Sequence, residues 1–220
     1  MNSIFILLLL LFASALPVII LYFWIRKGTG ESTIQVTPPW FLCALAAGIV
    51  SLLIAALTHR FFPPTGSADR LGSLFFSIFI KVALVEEISR LITLFPLLKV
   101  GNLRRNQSFA AILGLAAGLG FAAAENALYG MADINITLLR AFTAAPLHGA
   151  CGIRIGAAIF KLNRQPVKAV FLFISALVMH GAYNLIIVSL AVPAIMAVPI
   201  ALAALFISLP MLKSDFGVEE

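Results

Sequence analysis

Charge is what this sequence has least of. Only 11% of its 220 residues are Asp, Glu, Lys or Arg, against 62% hydrophobic, and its mean hydropathy is +1.08. A soluble domain of that composition would aggregate, so the pattern is that of a polytopic membrane protein. Cysteine is nearly absent: Cys43 and Cys151 each fall within an apolar segment, which argues against a disulfide or a zinc knot. No HExxH occurs, so no metal-ligand geometry can be read from one helix. Soluble domains, internal repeats and low-complexity tails are missing as well. Met1-Asn-Ser-Ile lacks the basic region of a signal peptide, and although Ala13-Ser-Ala15 imitates a cleavage site, apolar sequence continues to Trp24. The expectation is an uncleaved first helix. The net charge of +6 does not point to nucleic acid, because the basic residues lie mainly in short loops between apolar runs, where they set topology.

What is present is a succession of runs near the roughly 20 residues a spanning helix needs. They cover roughly 3–25, 40–58, 71–98, 109–130, 138–160, 168–190 and 193–212. The predicted fold is all-α, a polytopic bundle of about seven transmembrane helices forming one domain over 1–220, with its motif-bearing core at about 71–190. Short loops imply antiparallel neighbours. Alternate loops hold Arg26, Lys27, Lys99, Arg104, Arg105, Lys161, Arg164, Lys168 and Lys213, whereas the other side holds Arg60 and Arg70. That bias puts Met1 outside and Glu220 in the cytoplasm.

Against this background the polar residues inside spans stand out, since a charge at mid-bilayer costs about 2.5–3.5 kcal/mol on insertion scales. Lys81-Val-Ala-Leu-Val-Glu86-Glu87-Ile-Ser-Arg90 places two carboxylates and a guanidinium in the third span. Either glutamate can reach Arg90 at helical spacing, and Glu86 has the better orientation. One pair leaves the other glutamate uncompensated and able to act as a base; a structural ion pair explains only one of them. In the fourth span Gly114, Gly118 and Ala122 form a small-residue stripe continued by Asn126, beside a stripe of Phe121, Glu125 and Tyr129. His148 is followed by Gly152 and Gly156 at four-residue steps, and His180 shares a face with Asn184. At about 1.5 Å per residue these groups lie at depths compatible with one cavity in the middle to outer bilayer. His59, beside Arg60 at a span end, reads as interfacial. Arg140 is near enough to a helix end to snorkel, while Arg90 and Arg154 are deeper and need partners.

Glu86-Glu87-x-x-Arg90, Phe121-x-x-x-Glu125-Asn126, His148 and His180-x-x-x-Asn184, each on its own span, resemble the PrsW family of intramembrane endopeptidases. That family is related in turn to the CAAX-processing and bacteriocin-processing (CPBP) proteases. Two positions depart from the patterns. PrsW proteins usually carry Lys where this chain has Arg90, and CPBP proteins place their Arg one residue later and have His where this chain has Glu125. The resemblance implies cleavage of a membrane-associated protein, an anti-sigma factor or similar regulatory substrate, in a prokaryotic cytoplasmic membrane.

Three readings follow. In the first, Glu86 or Glu87 takes a proton from water while His148, His180 and Asn184 orient it or bind the oxyanion, with Arg90, Glu125 and Asn126 in support and no cofactor. The second adds Zn2+ on His148, His180 and Glu125 or Glu86. The third, from another class, is a proton-coupled transporter or a catalytically silent scaffold. Under the protease readings the partners are a membrane-protein substrate and the lipid bilayer, with no nucleic acid.

Overall fold

The computed structural model describes residue 23 and residues 37–61, 71–100, 106–131, 140–188 and 193–212; among them there is no strand. Six long helices run through these residues. Helix α1 is Pro38–Phe61. The rod α2 joins Leu71–Phe76, a π-helical stretch Ser77–Leu84, and Val85–Lys99, with Phe76 and Leu84 both in helical conformation at the junctions. Then come α3 (Gln107–Gly130), α4 (Ala144–Lys161), α5 (Pro166–Val188) and α6 (Ala197–Ser208), the last followed by a 3-10 turn Leu209–Leu212. These match the second to seventh expected spans; the first, 3–25, lies outside the described residues.

Local sequence accounts for the ends. Asn106 caps α3 by accepting from the Ser108 N–H at 2.8 Å, and Pro166 opens α5, where its missing N–H has no helical partner to lose. The fifth span is not one straight helix from 138 to 160. Residues 140–142 are helical, Thr143 leaves helical geometry at φ −119°, ψ −64°, and α4 starts at Ala144. Pro146 has no N–H to offer the carbonyl of Phe142 and its ring crowds that oxygen, so the helix breaks there. The Tyr183 hydroxyl, donating to Thr143 Oγ1 at 2.9 Å, pins the break to α5.

Helix α3 is the centre of the bundle. Of its membrane-length window 89% is buried, against 33% in α1 and 28% in α5. Lipid tails are as apolar as leucine, so helices in a bilayer gain by close backbone packing, and α3 achieves this on two faces through small residues. A Cβ on Gly114 would stand 2.1 Å from the Gly152 carbonyl oxygen, one on Gly118 2.0 Å from that of His148, and one on Gly156 2.1 Å from that of Ala110. The two glycine stripes read from the sequence therefore interlock, antiparallel, as one seam. On the other face Gly48 of α1 meets Ala117 and Phe121 just as closely.

Outward-facing residues are apolar: Leu42, Leu53 and Leu57 on α1, Phe75 and Phe76 on α2, and Val170, Phe171 and Val178 on α5 are exposed. Pro38–Phe61, Gln107–Gly130 and Pro166–Val188 are long and apolar enough to cross a membrane. The protein is an integral membrane protein.

Candidate active site

The two adjacent glutamates lie in the first turn of Val85–Lys99, just after the π-helical stretch of α2, a feature often found at functional sites. Neighbouring residues on a helix point about 100° apart, and the pair divides accordingly. Glu87 turns inward and is fully buried. Its Oε2 accepts from Arg90 Nη1 in a close ion pair, and its Oε1 accepts from His180 Nδ1 at 2.8 Å. Glu86 faces the edge of a cavity, and its Oε2 has no hydrogen-bond partner among the described residues. His180 Nε2 stands 3.5 Å from that oxygen, without hydrogen-bond geometry. The expected preference of Arg90 for Glu86 is thus reversed. Arg90 is drawn into the bundle to meet α4, and Glu87, three residues before it, is the carboxylate on that inward face.

On α4 the partner of Arg90 is His148, whose Nδ1 lies 3.2 Å from Arg90 Nη2. A guanidinium only donates, so Nδ1 accepts. The ring proton is then on Nε2, which donates to Glu125 Oε2 at 3.0 Å. His148 packs 4.9 Å from the Phe121 ring and 4.9 Å edge-on from that of His180, and Phe121 also underlies the Arg90 guanidinium at 4.8 Å. The Gly118 contact sets the height of His148, because the glycine abuts the histidine's own carbonyl.

Arg140 does not snorkel. The break at Thr143 lets it turn back over the last turn of α3, where Nη2 donates to Glu125 Oε2 at 2.6 Å and Nε to Asn126 Oδ1 at 3.0 Å. The guanidinium lies 4.2 Å above the Tyr129 ring. A continuous chain therefore runs Arg140, Glu125, His148, Arg90, Glu87, His180, and ends at Glu86. Arg154 stays outside it, donating to Ser208 Oγ at 3.1 Å and Ser175 Oγ at 2.8 Å.

A cavity of about 550 Å³ opens onto this chain. Glu86, Glu125, Arg140 and Asn184 line its polar part, with aliphatic wall from α1, α2 and α5. His59 lines it too, with Nε2 lacking a partner among the described residues, so the residue belongs to the cavity wall more than to an interface. Asn184 shares the cavity with Glu86, while His180, one turn earlier, is buried behind it.

The donor set suits a metal ion in kind and spacing. Ligand atoms of Glu86, His148 and His180 all lie within 4.8 Å of one another, and tetrahedral zinc with bonds near 2.0–2.1 Å wants its ligands roughly 3.4 Å apart. His180 has the arrangement common among ligating histidines, one nitrogen braced by a carboxylate and the other facing the site. The unpartnered Glu86 oxygen and the charge count agree: among the described residues three carboxylates face two guanidiniums, one positive charge short of balance. His148 would have to exchange its contact with Arg90 or Glu125 for a ligand bond. Glu125, the carboxylate first considered beside the histidines, is held by Arg140 instead.

Glu86, Glu87, Arg90, Glu125, His148 and His180 are thus brought together from four helices, with Asn126 and Asn184 at the margin. Arg140 is the member that sequence reasoning missed, and its signal was Pro146, which forbids a straight helix beneath it. No curated protein and no solved structure matches the chain. The sequence model of a family described as "PrsW family intramembrane metalloprotease" matches residues 37–209, from the start of α1 to the end of α6. A match over that length takes in every helix of the site: the chain belongs to the PrsW family of intramembrane proteases, and is a membrane-embedded endopeptidase.

Proposed function

We propose that the protein hydrolyses a peptide bond of a membrane-associated protein with Glu86 as general base. The observation that carries this is the division of labour between the glutamates: both oxygens of Glu87 are engaged, whereas Glu86 keeps a buried oxygen unpartnered at the cavity edge. Water held there gives a proton to Glu86 as its oxygen bonds to the scissile carbonyl carbon. The negative charge on the carbonyl oxygen is met by the side-chain N–H of Asn184, and collapse breaks the C–N bond as Glu86 returns the proton to the leaving amine. Glu87 fixes His180 with Nδ1–H inward, so that Nε2 faces the cavity side.

If the family's metal is used here, Glu86, His148 and His180 would hold it. It would supply Lewis-acid polarisation and a more acidic bound water. The spacing of the three donors favours that version, whereas the lack, among the described residues, of another unengaged carboxylate to serve as base favours the metal-free one. Kinship with the CPBP proteases is proposed on the same positions, with Glu125 standing where those enzymes carry His. The charge bias of the loops would put the cavity mouth, at the 59, 129 and 188 ends of α1, α3 and α5, on the outer face of a prokaryotic membrane, in a bundle of about seven spanning helices. A regulatory substrate of the anti-sigma type fits such a site. Membership of a protease family supports hydrolysis over transport or a silent scaffold.

The test is Glu86→Gln beside Glu87→Gln, following cleavage of a fluorescence-quenched library of membrane-flanking peptides. Glu86→Gln should fold normally and lose about 10²–10⁴-fold in rate, the usual worth of a general base. Glu87→Gln should lose folded protein as well, since breaking a buried ion pair costs about 3–5 kcal/mol. Full activity in Glu86→Gln would sink the reading. Active enzyme without stoichiometric metal would exclude the zinc version.

A further inference from the structure

We infer that Arg140 is a positioning residue of the hydrolytic site, holding Glu125 as the carboxylate that orients His148 and keeping it out of the roles of base and metal ligand. The inference rests on the proposed hydrolytic function and names a residue that none of the family motifs discussed above contains.

Three α3 side chains build the Arg140 seat. The Nε and Nη2 edge of the guanidinium spans Asn126 and Glu125, two neighbouring residues, while Tyr129 one turn on supports its face. Such a fork fixes direction as well as charge, which a lysine cannot reproduce. Glu125 Oε2 accepts from both Arg140 and His148, so the carboxylate is held at a fixed point and the His148 ring with it. His148 then presents Nδ1 to Arg90, which in turn holds Glu87. Arg140 thereby governs the His148 end of the chain that terminates at Glu86, without meeting Glu86 itself. The Glu125-Asn126 dipeptide gains a physical reason: the first member takes the histidine and the arginine, and the second takes the arginine's other donor.

The experiment compares Arg140→Gln, Arg140→Lys, Glu125→Gln and the double variant Arg140→Gln/Glu125→Gln, using the best-cleaved peptide of the library. Arg140→Gln should lower kcat about 10–100-fold, as loss of an orienting partner does, with KM within about twofold of the parent. Arg140→Lys should recover part of the loss. The double variant should be no slower than Glu125→Gln alone, because both changes break one link. A purely structural role would instead lower folded yield and leave kcat per folded molecule unchanged. That result overturns the inference, as does a rise in KM at constant kcat or additive losses in the double variant. If Arg140→Gln does not fold, the Arg140→Lys and Glu125→Gln comparison decides by the same kcat criterion. Should Glu86→Gln be inactive while Arg140→Gln keeps its kcat, only this inference fails; an active Glu86→Gln removes the hydrolytic reading beneath it.

Discussion

Replacing Gly118 by Ala adds one methyl group, and the structure puts that carbon 2.0 Å from the His148 carbonyl oxygen and 3.2 Å from the Gly149 Cα. A relaxed carbon–oxygen contact is about 3.3 Å at its closest, so α3 and α4 must part by roughly 1.3 Å at the level of His148. Overpacking of this kind costs about 1–3 kcal/mol, and a displacement near 1 Å at a catalytic group costs about 10²-fold in rate. Gly118→Ala should therefore lower the thermal midpoint in detergent and reduce kcat about a hundredfold. Gly156→Ala is the informative control. Its Cβ meets the Ala110 oxygen at 2.1 Å, an equal violation, but it lies about 12 Å along α4 from His148. It should cost similar stability and far less activity. Gly72→Ala, with nothing within 4 Å of the new carbon, should be silent. Gly118→Ala with unchanged midpoint and rate would refute the close seam. Equal activity losses in Gly118→Ala and Gly156→Ala would refute the claim that the seam acts on the site through His148.

Two further outcomes separate the site from its surroundings. Arg154→Met should retain activity and change the thermal midpoint by only a few degrees, because Ser175 and Ser208 still donate to Leu172 O at 2.7 Å and Ala204 O at 2.8 Å once the guanidinium is gone; a loss of activity above tenfold would give Arg154 a role it does not have here. Cys151, buried with its thiol 3.5 Å from the Ala176 carbonyl, should react with a maleimide only after denaturation, read by mass spectrometry. Labelling of Cys151 in the native protein, as distinct from the exposed Cys43, would mean that α4 and α5 separate in solution.

The helices were legible because hydropathy alone delimits them in a chain this apolar. The glycine stripes of α3 and α4 were legible from their four-residue steps, but not that they face each other, which the spacing within either helix does not decide. The choice between Glu86 and Glu87 was not. Spacing along one helix allows Arg90 either carboxylate, and the decision comes from His180, 93 residues away in sequence, which occupies the second oxygen of Glu87. Arg140 was misjudged because a span was treated as one straight helix, although Pro146 already marks where its backbone bonds must stop. The π-helical stretch Ser77–Leu84 had no sequence signal; Phe79 seats its ring edge against Gly181, within 2.3 Å of where a Cβ would be, and that contact exists only once α2 and α5 have met.

The arrangement also explains why so polar a group of residues can lie within a membrane protein. An isolated buried carboxylate or guanidinium is costly, and a pair is tolerated when its remaining donors and acceptors are met. Here Glu125 has Arg140 and His148, and Glu87 has Arg90 and His180, so two of the three carboxylates are matched by a fixed cation and a histidine. Among the described residues Glu86 has only a histidine 3.5 Å away and a cavity in front of it. Arg90 is directed at Glu87 and His148, although its Nε has no hydrogen-bond partner among the described residues, and none of these neighbours hydrogen-bonds the Glu86 Oε2. Among the described residues the buried network thus leaves one carboxylate unmet, and in the proposed mechanism that oxygen is where water would be bound and activated.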